Sequence, residues 1–292
     1  MIAPDFGAVR AARAADPAAI ATALAGRARR PLLRGDNRLL ILAADHPARG
    51  ALGVRDDDMA MADRYELLRR LDEALRHPHV DGFLGTPDLV EDLTLLGALE
   101  GKIVVGSMNR GGLKSAVFEM DDRFTAYDTN AIRDANLDAA KVLVRINLRD
   151  VGSVATLAAA ANAVSEAARR QLPILIEPFM SEWVDGAIRN DLSTDAVIQS
   201  IAIASALGST SAYSWLKLPV VPDMARVMRS TTLPTLLLGG DPRGDAEETY
   251  ASWQSALALP GVRGLVVGRA LLYPKDGDVN AAVSRAAELV HG

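Results

Sequence analysis

Short apolar runs alternate with longer stretches of helical period along most of this chain. The runs occupy residues 39–44, 82–85, 103–106, 141–146, 173–177, 215–218, 235–239 and 265–268. Between them, apolar side chains recur every three to four positions. Met61, Tyr65, Leu68, Leu71 and Leu75 share one helical face, and Val154, Leu157, Ala161, Val164 and Ala168 share another. Strands that alternate with helices in this way predict parallel βαβ units. Eight such units predict an α/β fold, a single closed (β/α)8 barrel of the TIM type. An open, doubly wound sheet is the competing architecture. It is disfavoured because no glycine-rich dinucleotide fingerprint follows the first run. Residues 1–36 read as an Ala-rich N-terminal helical extension and residues 37–292 as the barrel. The acidic run Asp56-Asp57-Asp58 reads as a helix start.

Composition narrows the functional field. The 292 residues are 49% hydrophobic and 24% charged, which suits a globular chain with a large core. Formal charge is −5, from 32 basic and 37 acidic residues, so no bulk cationic field recruits nucleic acid or anionic lipid. No apolar run nears the ~20 residues of a membrane span. Cysteine is absent, which removes disulfides, thiolate nucleophiles and Cys-ligated zinc, and fits a reducing cytoplasm. The N-terminus lacks the compact apolar stretch of a secretory signal, and its Arg and Ala content leaves a transit peptide as the weaker alternative. The expectation is a cytoplasmic protein that binds neither nucleic acid nor membrane. Exposed Ala-rich helices point to a homo-oligomer.

Catalytic side chains of a barrel sit at the C-terminal ends of its strands, so the polar residues there are the candidates. The first run leads into Asp45 and His46, the fourth carries Lys141 and Arg145, the fifth ends in Glu177 and the sixth carries Lys217. The seventh ends in Gly239-Gly240 and the eighth in Gly268-Arg269. Two lysines, two carboxylates and an arginine are thereby expected at one mouth.

Lys217 is the most informative of them, because it interrupts the apolar run Ser214-Trp-Leu-Lys-Leu-Pro219. A buried ammonium loses its hydration and must pair with a carboxylate, stay neutral or react. A neutral lysine attacks a carbonyl to give a Schiff base. A second cation, Lys141, and an apolar wall from Trp215 or Leu218 would depress the lysine as that attack requires. Glu177 would carry protons to and from the carbinolamine if burial raises its pKa. Asp45 would serve as the base for a departing hydroxyl, or orient the group that does. Gly239, Gly240, Gly268 and Arg269 stand where barrels bind phosphate through backbone N–H groups and a guanidinium.

Each residue also has a plainer reading. Lys217 and a glutamate could be an ion pair and nothing more. Glu177 before Pro178 could end a strand, Asp45 could cap a turn, Lys141 could snorkel from a strand edge, and the glycines could make tight turns. The coincidence of all of them at successive strand ends favours chemistry. The loop 107–129 is long enough to cover or shape a pocket, and Arg110, Lys114, Arg123 and Arg145 are the cations whose approach to it the pattern leaves open. The four histidines, His46, His77, His79 and His291, show no metal-ligand spacing, so neither a catalytic metal nor a cofactor is expected.

In order along the chain, Leu40-Ile-Leu-Ala-Ala-Asp45, Ala140-Lys141, Ile176-Glu-Pro178, Leu216-Lys217, Leu238-Gly-Gly240 and Gly268-Arg-Ala-Leu271 resemble the class I, Schiff-base fructose-bisphosphate aldolases and the related tagatose-bisphosphate and archaeal-type enzymes. The resemblance implies that Lys217 forms the imine, Glu177 is the acid–base glutamate, Lys141 the companion lysine and Asp45 the first-strand aspartate. It further implies that Gly240, Gly268 and Arg269 hold the phosphate of the ketone half, the future dihydroxyacetone phosphate. Phe179, Ser107-Met108 and Leu238 depart from the vertebrate-type pattern of glutamate, lysine and serine. They point instead to a bacterial, deoxyribose-phosphate-aldolase-like branch. Within that branch the phosphorylated dehydro-deoxy-gluconate of inositol breakdown is a candidate substrate. The function expected is a metal-independent aldolase of carbohydrate metabolism acting on a phosphorylated ketose or keto sugar acid. Two competitors remain. One is a phosphate-binding isomerase or epimerase with Glu177 or Asp45 as base. The other is a non-catalytic barrel that binds a sugar phosphate.

Overall fold

All eight apolar runs form strands. The computed structural model describes residues 4–109, 112–240 and 244–292. Its strands are β1 (Leu39–Ala43), β2 (Gly82–Gly85), β3 (Ile103–Ser107), β4 (Ala139–Ile146), β5 (Ile174–Val184), β6 (Ala187–Asn190), β7 (Ser214–Leu218), β8 (Thr235–Leu238) and β9 (Val262–Val267). Eight of them close a parallel ring in the order β1, β2, β3, β4, β5, β7, β8, β9, with β9 returning to β1. Helices wrap the outside, as a TIM barrel requires.

β6 was not expected. It pairs antiparallel with the far end of β5, Ser181 opposite Asn190 and Val184 opposite Ala187. Pro178 does not end the strand as anticipated. Its register with Val144 continues to Phe179 and Met180, and the chain then leaves the barrel as a hairpin. The hairpin places Asn190 and Leu192 over the mouth.

Alternation along each strand sorts the core into two layers. Leu39, Ile41, Ala43, Val105, Leu175, Trp215 and Val266 fill the barrel interior. Leu40, Leu42, Val104, Ile176, Leu216 and Val267 pack outward under the helices. Leu32 and Leu33 press against the interior layer ahead of β1. The N-terminal helices Phe6–Ala15 and Ala18–Gly26 are tied to the barrel through Arg13, 2.7 Å from Asp92, and through the buried Arg27, which binds Asp138 and the carbonyls of Lys102 and Asn136. No helix among the described residues is long and apolar enough to cross a membrane.

Two helical expectations shift. The run Asp56–Asp58 is a turn in which Val54 and Asp57 exchange backbone hydrogen bonds. The helix starts later, at Arg64, where Asp63 accepts from the N–H groups of Tyr65 and Glu66. Its inner face is Leu67, Leu68, Leu71 and Leu75, while Tyr65 is exposed. In the helix Gly152–Arg169 the buried positions are Ser153, Thr156, Ala160, Ala163, Val164 and Ala167, whereas Val154 faces solvent. Alanine on nearly every side left no clear apolar stripe to read there.

The C-terminal helix Val279–His291 is anchored by a histidine. His291 Nδ1 meets Asp36, and its Nε2 lies 3.1 Å from Asp81 Oδ2, with the His79 ring 5.7 Å away. The bond with Asp81 outweighs burial and, with Asp36, lifts the imidazole to about 9. A histidine raised in the fold stabilises it fully below its unfolded value, and the gain disappears as pH climbs through the folded value. His291→Gln is therefore expected to cost about 1 kcal/mol at pH ~6 and nothing by pH ~10, a partly exposed pair being screened by solvent. Urea denaturation of both proteins across that range checks it. A deficit that persists at the alkaline end contradicts the assignment.

Candidate active site

The two-residue period that builds the interior also selects the functional side chains. Asp45 lies two positions beyond Ala43, Lys141 two beyond Ala139, Glu177 two beyond Leu175 and Lys217 two beyond Trp215. All four anchors point inward, so all four polar groups are carried into the C-terminal end of the same barrel. Each is buried.

They form a continuous ladder of alternating charge. Asp45 Oδ2 is 2.9 Å from Lys141 Nζ, Lys141 Nζ is 2.7 Å from Glu177 Oε2, and Glu177 Oε1 is 2.8 Å from Lys217 Nζ. Ser107 on β3 donates to Asp45 Oδ2 at 3.2 Å, which occupies the position where the vertebrate-type pattern has lysine. Two anions and two cations cancel, which is why four ionisable groups tolerate burial together.

Burial by itself would raise Asp45, but Lys141 and Lys217 outweigh it and hold its carboxyl well below the usual range. Burial likewise pushes Glu177 up, and the same two ammoniums bring it down to about 2. Burial lowers Lys141, yet Asp45 and Glu177 carry it to about 12. Glu177 thus corrects the expectation of a raised carboxyl: the resting glutamate is ionised because it stands between two cations. Lys141 is a permanent charge, with Glu177 between it and Lys217.

The ladder forms one wall of a cavity of about 250 Å³. Gly239, Gly240, Gly268 and Arg269 line the same cavity, so the expected phosphate-site residues and the ladder share one space. Gly268 is required there: a Cβ would sit 2.2 Å from the Ala43 carbonyl oxygen. Gly240 has φ +69°, a conformation that glycine adopts without strain. Asp241, Pro242 and Arg243, which follow directly, lie outside the described residues.

Arg145 does not reach the mouth. Its guanidinium is buried against Asp122, with Nη2 to Oδ1 at 2.6 Å, and Glu119 is 3.8 Å away. Asn109 completes the clasp, donating to the Leu143 carbonyl and accepting from the Leu143 N–H at 2.7 Å. The loop 107–129 is thereby pinned to the rim of β4. Among its described residues none lines the cavity, and the loop shapes the pocket through Ser107 and through Lys114, whose N–H donates to the Arg49 carbonyl. The Lys114 and Arg123 side chains face solvent, and Arg110 lies outside the described residues.

Several lining residues escaped the sequence reading. Arg49 joins from the 3₁₀ turn His46–Arg49, and Asn190 and Leu192 come from the β6 hairpin. Phe179 and Leu238 supply apolar wall. Of these, only Arg49 carried a usable signal, three residues beyond His46 in a turn with Pro47 at its start. His46, left open between acid–base and positional roles, is held neutral: burial overcomes Asp45 and, with Arg269 and Lys217, lowers it to about 3.

With this geometry in place, comparison with known proteins is informative. The family model described as Cgl0159-like matches residues 37–287. The crystal structure of Cgl0159 from Corynebacterium glutamicum (Brevibacterium flavum) is 61% identical, with a TM-score of 0.97 over 100% of this chain and 98% of that one. An archaeal fructose 1,6-bisphosphate aldolase is 17% identical, with a TM-score of 0.66 over 93% of this chain and 98% of that one. A second archaeal structure, whose catalytic lysine is covalently bound to the carbinolamine intermediate of the substrate, is 18% identical, with a TM-score of 0.66 over 94% of this chain and 100% of that one. At such identities the likeness is one of fold. No curated protein matches the chain.

Proposed function

We propose that this chain, which belongs to the Cgl0159-like family, is a class I aldolase that makes or breaks a carbon–carbon bond through a Schiff base on Lys217. The substrate class is a phosphorylated ketose or keto sugar acid, and the ketone product is dihydroxyacetone phosphate. The observation that carries the reading is the neutral ladder Asp45–Lys141–Glu177–Lys217, whose terminal amine opens on a cavity with room for a guest. The fold it shares with archaeal aldolases, one with a lysine-bound carbinolamine, adds that such a barrel can host this chemistry.

The ladder explains how a paired lysine becomes a nucleophile. Glu177 Oε1, 2.8 Å away, accepts a proton from Lys217. The products are a neutral amine and a neutral acid, while Asp45 and Lys141 remain a balanced pair, so no net charge is buried at any point. The amine attacks the ketone carbon. Glu177 returns its proton to the carbinolamine hydroxyl, water departs and an iminium remains. Removal of the proton from the β-hydroxyl breaks the neighbouring C–C bond, releases an aldehyde and sends the electron pair into the iminium as an enamine. Asp45 is the base or orients it, with neutral His46 3.8 Å away at Oδ1. Protonation of the enamine and hydrolysis restore Lys217. Arg269 and the N–H groups of Gly239, Gly240 and Gly268 hold the phosphate.

Sodium borohydride added with dihydroxyacetone phosphate is expected to fix one reduced adduct on Lys217, read by peptide mass. If neither that ketone nor a panel of ketose phosphates leaves an adduct at this position, the reading is wrong. The ionised Glu177 would equally suit proton abstraction by an isomerase, and a substitution at Lys217 separates the two.

A further inference from the structure

Around the mouth, one cation has no role in the ladder. The 3₁₀ turn His46–Arg49 runs directly on from β1, with Pro47 at its start and Gly50 closing it at φ +71°. In a 3₁₀ turn, residues three apart eclipse. His46 and Arg49 therefore share a side, and both line the cavity. The Arg49 Nε is buried with no hydrogen-bond partner, and among the described residues no carboxylate pairs with its guanidinium. Burial, and then the neighbouring Arg145, lower its affinity for protons, with Asp45, Asp122 and Glu177 opposing. An unpaired guanidinium inside a cavity is costly unless an incoming anion satisfies it.

Its direction is informative. The Arg49 carbonyl accepts from Lys114 in the loop after β3, and its field is shared with Arg145 on β4 and Asp122. Arg49 thus leans across the mouth toward β3 and β4. Gly239, Gly240, Gly268 and Arg269 sit on the opposite flank, after β8 and β9, with the Lys217 amine in the same cavity. A linear substrate with its phosphate beside Arg269 and its ketone at Lys217 would extend its aldehyde half toward Arg49.

We propose that Arg49 is a specificity-determining residue: it binds a terminal oxyanion, carboxylate or phosphate, on the aldehyde half of the substrate. This rests on the aldolase reading for the direction of the substrate, but not for the existence of the anion site. The preferred substrate would then carry an anionic group at each end, and the released aldehyde would itself be an anion.

The test measures equilibrium binding by calorimetry, independently of imine formation. One ligand pair differs only in a terminal carboxylate, 6-phosphogluconate against sorbitol 6-phosphate. Another differs only in a distal phosphate, fructose 1,6-bisphosphate against fructose 1-phosphate. Wild-type protein should prefer the doubly anionic member of at least one pair by about tenfold or more, the worth of a charge-assisted contact. Which pair shows the preference identifies the oxyanion. In Arg49→Met that ratio should fall to near one, and Arg49→Lys should restore part of it. A ratio unchanged in Arg49→Met overturns the proposal, as does a wild-type protein that takes all four ligands alike or none. Failure of dihydroxyacetone phosphate to trap Lys217 would sink the aldolase reading and leave this ratio standing.

Discussion

Lys217→Arg is expected to abolish borohydride trapping and to lower kcat/KM for carbon–carbon cleavage by at least about 10³-fold. Arginine keeps a positive charge beside Glu177, so the ladder's balance and the fold should survive. A guanidinium does not deprotonate at ordinary pH and cannot form the imine. The loss would therefore be one of chemistry, visible in kcat, while affinity for a non-reacting sugar phosphate changes little by comparison. Turnover retained within about tenfold would show that Lys217 acts only through its charge, and would move the protein to the isomerase or epimerase class.

Glu177→Gln should lower kcat by about 10²–10⁴-fold, the usual weight of a positioned acid–base group. Glutamine is nearly isosteric, but it cannot take the Lys217 proton or return one to the carbinolamine. It also removes the anion that separates two buried ammoniums 2.7 and 2.8 Å from its oxygens. Breaking a buried pair in this way costs about 3 kcal/mol or more of stability. The two effects are separable. Denaturant midpoints read the second, and the single-turnover rate of adduct formation with dihydroxyacetone phosphate reads the first. Full-rate adduct formation in Glu177→Gln would remove Glu177 from the proton path and leave it a counter-ion only.

The pKa of Glu177 shows where local reasoning stops. Burial near an apolar run suggests a raised carboxyl, and burial does act in that direction. The opposing effect comes from Lys141 and Lys217 on two other strands, one on each oxygen. Distance between strands sets its size, and no spacing along the chain encodes that distance. Arg145 teaches the same lesson. It lies two positions beyond Leu143, at the right strand end, but Asp122 from the preceding loop captures its guanidinium. A loop residue's partner is a product of folding, and hydrophobic periodicity says nothing of it.

What sequence by itself determined is the barrel and the roster of its mouth. Apolar runs bounded by polar helices leave few other ways to bury every strand on both faces. A strict alternation of inward and outward side chains then commits Asp45, Lys141, Glu177 and Lys217 to one interior. Tertiary structure alone decided which of those groups touch, the charge state each adopts, and the company they keep. Arg49 turns inward because a 3₁₀ turn, and not an α-helix, follows β1. Asn190 and Leu192 reach the site because β5 overruns its proline into a hairpin. Both depend on contacts between segments far apart in the chain, whose energies only close packing in three dimensions can set.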